Sequence, residues 1–101
     1  MTQLTSPDGT PASRLTFGAM QFGGTADESA SRAMFDACRA AGITHFDTAY
    51  VYTEGQSETL LADMIRRDRD SLLIATKVGY VGGASRINIL EQFDVSRKRL
   101  Q

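Results

Sequence analysis

The chain has 101 residues, of which 42% are hydrophobic and 23% charged, a balance that belongs to a single globular unit and not to a disordered or fibrous segment. A formal charge of −1 offers no basic field to nucleic acid or anionic lipid, and no apolar run approaches the ~18 residues of a membrane span. A small molecule is the expected partner. Residues 1–14 lack the basic and apolar regions of a signal peptide, so the expected compartment is the cytoplasm. The single cysteine, Cys38, has no partner for an internal disulfide and reads as a packing thiol.

Asp8-Gly9 lies between short stretches as the tight turn of a hairpin would, and Leu15 to Met20 reads as a first strand. Thr25 to Glu28 has the T-x-x-E spacing of a capping box and predicts the start of a helix. Ala30, Ala33, Met34, Ala37, Cys38 and Ala41 recur at three- and four-residue steps as its apolar stripe, until Gly42 supplies a left-handed cap. Ile43 to Thr48 is the second predicted strand. Ser57 is the expected cap of a second helix with the stripe Leu60, Leu61, Met64 and Ile65, and Leu72 to Val78 is a third, almost wholly apolar strand. Asp94 to Leu100, with Ser96 near its start, predicts a third helix that the sequence cuts short. Two clusters read as solvated helix surface: Arg66, Arg67 and Arg69 with Asp68 and Asp70, and Arg97, Lys98 and Arg99.

The order is β-α-β-α-β with strands starting near residues 15, 43 and 72, a spacing of 28 and then 29 residues. Near-continuous apolar strands alternating with amphipathic helices indicate parallel pairing through right-handed crossovers. An open doubly wound sheet and part of an eight-stranded barrel both fit that pattern.

Several chemistries drop out on motif grounds. The turn after the first strand reads Gly18-Ala-Met-Gln-Phe-Gly23-Gly24, without the G-x-G-x-x-G of a Rossmann site and without the Lys and Ser/Thr that complete a P-loop. One His and one Cys cannot build a Cys/His zinc site, so no metal is expected, and no G-x-S-x-G elbow occurs. No Tyr-x-x-x-Lys pair occurs either, because Tyr50, Tyr52 and Tyr80 are followed four places on by Glu54, Gln56 and Ala84.

What remains is an acid at the end of one strand, a tyrosine just beyond it and a lysine near the end of the next: Asp47, Tyr52 and Lys77. A lysine within a buried parallel strand is costly unless a carboxylate meets it, and Asp47 closes the neighbouring strand at the same rim. A phenol is a poor proton donor at neutral pH, but a nearby ammonium stabilises its anion. That pairing makes Tyr52 a usable general acid, with Asp47 orienting Lys77. On the residues alone, Tyr50 competes equally with Tyr52 for that role. A salt bridge that only stitches two strands is the plainer reading of Asp47 and Lys77. His45 falls on the face of Asp47, one pleat period deeper.

Gly42-Ile-Thr-His-Phe-Asp-Thr-Ala-Tyr-Val-Tyr52, Glu54-Gly-Gln-Ser-Glu58 and Ile74-Ala-Thr-Lys-Val-Gly79 resemble the aldo-keto reductase family, and Phe17 to Gly24 is similar to that family's first strand and loop. The resemblance implies an α/β fold, the N-terminal part of a (β/α)₈ TIM barrel closed at its bottom by a β-hairpin at residues 3–12. The whole of residues 1–101 would form the first three βα units of an oxidoreductase domain, with the third helix truncated. The family reduces an aldehyde or ketone with hydride from NADPH, NADH being compatible with these residues, while a tyrosine protonates the oxygen. The resemblance implies Asp47, Tyr52 and Lys77 as catalytic residues, and Ala19, Met20 and Asp47 as neighbours of the nicotinamide ribose. The family's catalytic His follows a fourth strand, outside this stretch, so activity is expected of a longer parent. The alternative is a non-catalytic nicotinamide-binding scaffold or an inactive short product.

Overall fold

The computed structural model describes residues 3–101. Three short strands, β1 (Thr16–Gly18), β2 (His45–Asp47) and β3 (Leu73–Ala75), form one parallel sheet in the order β1-β2-β3. Helix α1 (Glu28–Ala40) connects the first pair, α2 (Gln56–Ile65) the second, and α3 (Arg86–Leu100) follows the third strand. The β-α-β-α-β order and the parallel pairing agree with the sequence pattern. The strands are shorter than the apolar runs that predict them, because ladder pairing is confined to three residues per strand.

Thr5 pairs antiparallel with Pro11 around Asp8-Gly9, with the Ser6 N–H donating to Thr10 at 2.8 Å, so the expected hairpin is present. Gly9 adopts φ +89°, which glycine accepts without strain. The hairpin is fastened beneath the sheet by two bonds, from the Asp8 N–H to the Asp70 carbonyl (2.9 Å) and from the Ser71 hydroxyl to the Asp8 carboxylate (2.8 Å).

The start of α1 differs from the predicted capping box. Asp27 is the N-cap, its carboxylate accepting from the Ala30 N–H at 2.8 Å, and Glu28 is the first helical residue. An aspartate one residue ahead of the helix outcompetes the threonine two residues earlier. The buried face is also rotated from the alanine stripe: Ser31, Phe35 and Cys38 are buried and Met34 half-buried, whereas Ala30, Ala33, Ala37 and Ala41 are exposed. Burial follows the large apolar area of Phe35, which stacks on Phe46 of β2 at 4.9 Å, and the alanines contribute helix propensity instead. At the other end Gly42 takes φ +85° and the Ile43 N–H returns to the Cys38 carbonyl, the closing bond of a left-handed cap.

In α2, Leu61 and Ile65 are buried and Leu60 and Met64 half-buried, in agreement with the predicted stripe. The third helix is the largest departure. It begins at Arg86, not Asp94, with Ser85 as N-cap accepting from the Asn88 N–H at 3.1 Å; Ser96, expected near its start, is a buried mid-helix residue. Its sequence has almost no amphipathic contrast, with Ile87, Leu90 and Phe93 exposed and Gln92 and Ser96 buried, so periodicity could not reveal it.

The core lies between the sheet and the helices and is built from Phe22, Phe35, Phe46, Leu61, Ile65 and Leu72. Cys38 belongs to it, and burial pushes its thiol pKa up, as suits a packing residue. The opposite sheet face carries two layers set by register, Thr16-His45-Leu73 and, nearer the carboxyl ends, Gly18-Asp47-Ala75. His45 therefore sits one layer below Asp47 as expected, with its Nδ1 2.9 Å from the Thr16 hydroxyl.

Candidate active site

Backbone pairing continues past the strands and sets the rim. The Ala19 N–H reaches the Asp47 carbonyl (2.8 Å), Thr48 reaches Ala75 (2.8 Å) and Tyr50 reaches Lys77 (2.9 Å). Lys77 thus lies two residues beyond β3, half-exposed at the edge and not inside a strand, which removes the burial cost its sequence context suggested. Its ammonium donates to the Asp47 carboxylate at 2.6 Å and to the Thr48 carbonyl at 2.9 Å, and stands 4.9 Å from the centroid of the Tyr52 ring. Desolvation opposes the charge on Lys77, but the Asp47 carboxylate and the Tyr52 phenol outweigh it, and its pKa is raised. Asp47, Tyr52 and Lys77 therefore converge in space. Tyr50 walls the same cleft but packs against another cation, its ring 4.7 Å from the Arg99 guanidinium.

The backbone just after Tyr52 is strained. Thr53 and Glu54 take φ of +50° and +56°, followed by Gly55 at +92°. A β-branched residue in this region is a genuine outlier, with a cost on the order of 1–3 kcal/mol. Bonds hold it there: the Thr53 hydroxyl donates to the Phe22 carbonyl at 2.6 Å and accepts from the Ser57 N–H at 3.0 Å. Ser57 is consequently not the helix cap. It lies buried inside α2, where its hydroxyl donates to the Ala19 carbonyl (2.7 Å) and meets the Thr48 hydroxyl (2.7 Å).

Ala19 is fully buried with both backbone groups bonded, so it fixes the turn after β1, while Met20 beside it is exposed. A cleft of about 310 Å³ opens next to Tyr52 and Lys77, walled by Tyr50, Val78, Tyr80 and Val81. Its walls are largely apolar, and Lys77 is the charged residue that lines it.

Three residues that the sequence did not single out support this rim. Glu58 of α2 is fully buried and accepts from the Thr76 hydroxyl (2.6 Å) and from Arg99 (2.8 Å). Arg99 also donates to the Tyr50 carbonyl at 2.8 Å, so it is not part of a solvated face, unlike its neighbours Arg97 and Lys98. Gln92 is buried and clasps the loop after β3 by accepting from the Gly79 N–H and donating to the Val81 carbonyl, both at 2.8 Å. That loop is fastened, although Tyr80 on it is 87% exposed. The one available signal was charge: Glu58 lies three and seven residues before the stripe residues Leu61 and Ile65, on the same helix face, and a carboxylate there asks for a partner.

The chain matches the model of the aldo/keto reductase family over residues 14–101. A probable voltage-gated potassium channel subunit beta of Oryza sativa subsp. japonica is 34% identical over 91% of the chain, which spans 31% of that relative's length. Among solved structures, an aldo-keto reductase of Bacillus halodurans in its holo form superimposes with a TM-score of 0.79 and 29% identity, over 100% of this chain and 37% of that one. An aldo-keto reductase of Klebsiella pneumoniae in complex with NADPH gives 0.71 and 26%, over 100% and 36%. The three parallel strands and their helices correspond to the N-terminal portion of those barrels. The chain belongs to the aldo/keto reductase family.

Proposed function

We propose that this chain forms the first three βα units of a reductase of aldehydes or ketones that uses NADPH, or NADH, and works in the cytoplasm. The observation that carries the proposal is the position of the Lys77 ammonium between the Asp47 carboxylate and the Tyr52 ring. A bound nicotinamide cofactor would supply hydride to the carbonyl carbon. Tyr52 gives its proton to the carbonyl oxygen as that oxygen becomes an alcohol, and solvent returns a proton to the phenol. Lys77 favours the phenolate left behind, and Asp47 keeps Lys77 charged and aimed. Met20 and Asp47 are the groups at the rim available to the nicotinamide ribose, with Ala19 setting the height of the turn that presents Met20.

Because the chain spans about a third of its relatives' length, the active species is proposed to be a longer protein of roughly 250 residues or more with five further βα units. Steady-state reduction of a simple aldehyde with NADPH by the complete protein is the test. Turnover supports the proposal, and NADPH binding without turnover on any aldehyde or ketone would sink it. The second outcome would favour a nicotinamide-binding subunit, a reading supported by the potassium-channel-subunit name of the rice relative.

A further inference from the structure

Between the rim and the body of the protein lies a junction made by one buried carboxylate. Glu58 takes the Thr76 hydroxyl on one oxygen and Arg99 on the other. Thr76 precedes Lys77 in the chain. Arg99 reaches from the last turn of α3 to the Tyr50 carbonyl and lies over the Tyr50 ring, two residues before Tyr52. The same guanidinium fills the space beneath Gly55, where a Cβ would come within 2.6 Å of its Cζ. A side chain at Gly55 would push the guanidinium from this place, and Gly55 ends the run of positive φ that starts directly after Tyr52. One ion pair thus touches the segment carrying Lys77 on one side and both flanks of Tyr52 on the other.

From this juxtaposition we infer that Glu58 and Arg99 are positioning residues for the reaction, fixing the separation of the Lys77 ammonium and the Tyr52 ring without themselves meeting the substrate. The inference rests on the proposed reductase activity for its kinetic reading, and on geometry alone for its spectroscopic one. A merely structural pair would stabilise the fold and leave the rim unchanged once charge balance was restored. A positioning pair would not, because a neutral replacement no longer bonds both the Thr76 hydroxyl and the Tyr50 carbonyl.

The test compares the complete enzyme with Glu58→Gln and with the neutral double variant Glu58→Gln/Arg99→Met, measuring kcat, NADPH affinity by fluorescence, and Tm. Glu58→Gln is expected to lower kcat about tenfold to a hundredfold, the range in which a displacement near 1 Å acts, with NADPH affinity nearly unchanged. The double variant should regain Tm, since no buried charge is left unpaired, while kcat stays low. Recovery of kcat together with Tm would overturn the inference, as would full kcat in Glu58→Gln. Where Glu58→Gln does not fold, the double variant carries the comparison alone. In the complete protein labelled with ¹³C-lysine, the Lys77 signal is identified as the one lost in Lys77→Met. The Lys77 titration should move downward in the Glu58→Gln/Arg99→Met variant, and a Lys77 titration that does not move overturns the inference even if the protein reduces no carbonyl compound. A wild-type enzyme without turnover, in which the Lys77 titration does move, removes the reductase reading and leaves the positioning in place.

Discussion

Two acid–cation pairs stand within one protein and have opposite surroundings. Asp47 and Lys77 meet at 2.6 Å with side chains 36% and 50% exposed, whereas Glu58 and Arg99 meet at 2.8 Å with side chains 0% and 24% exposed. Water competes for the first pair, so its contribution to stability is small, and its charges stay available to a group that enters the cleft. In the second pair the Glu58 carboxylate is fully buried and also bonds the Thr76 hydroxyl, while Arg99 also bonds the Tyr50 carbonyl, so breaking the pair strands a buried charge. The difference separates two tasks: the rim pair is open to a group that enters the cleft, and the buried pair is closed in by the protein.

The largest effect should come at the rim. In the complete enzyme Tyr52→Phe removes only the phenolic oxygen, and turnover is expected to fall at least ~10²–10⁴-fold with NADPH affinity nearly intact. Lys77→Met should also cut turnover, while Tyr50→Phe and His45→Phe keep most of it, because Tyr50 lies under Arg99 and His45 bonds Thr16 one layer down. A Tyr52→Phe enzyme with near-full turnover, or a Tyr50→Phe enzyme without it, would show that the wrong acid has been named.

At the buried junction the expected change is in stability. Arg99→Ala leaves the Glu58 carboxylate buried and unpaired, and breaking a pair of this kind costs about 3–5 kcal/mol. Chemical denaturation should show that loss, and a change confined to a few tenths of a kcal/mol would mean that water reaches Glu58 after all. Gly55→Ala attacks the same junction from the other side, through both its φ of +92° and the approach of a Cβ to Arg99. A loss of roughly 1–3 kcal/mol is expected there. The matched substitution Gly83→Ala, at φ +93° with nothing near its Cβ, isolates the backbone share of that loss.

The element order was readable because alternating apolar runs and amphipathic helices are set by local chemistry, and Gly42 and Asp8-Gly9 punctuate them unambiguously. The rim acid and lysine were readable because charged residues rarely close apolar strands, whereas only the family resemblance separated Tyr52 from Tyr50. The rest depended on contacts distant in sequence. Nothing near Arg99 distinguishes it from Arg97 or Lys98, yet its partners are 41 and 49 residues away. Gln92 and Ser96 bury polar groups on a helix whose apolar residues face outward, which inverts the pattern used to find helices. Among the small residues of α1, only the size of Phe35 indicated which face would turn inward.

The smallest expected effect lies at the bottom of the fold, where Asp8 is exposed and yet multiply bonded. The Thr10 hydroxyl, the Ser6 hydroxyl, the Thr10 N–H and the Ser71 hydroxyl hold its carboxyl well below the usual carboxylate range. A carboxyl depressed on folding stabilises fully above its unfolded pKa of about 4, and that contribution fades as pH falls toward the folded value. Asp8→Asn should therefore lower Tm slightly at neutral pH, with a gap from wild type that narrows as pH drops below about 4. A gap independent of pH would assign the effect to hairpin shape and not to charge.

The reach of Arg99 also ties the reactive edge to a distant part of the chain. The backbone at Tyr50 and Gly55 is clamped by a side chain 49 positions beyond Tyr50, so loosening α3 would release that backbone while the Phe35–Phe46 stack of the core keeps its own contacts.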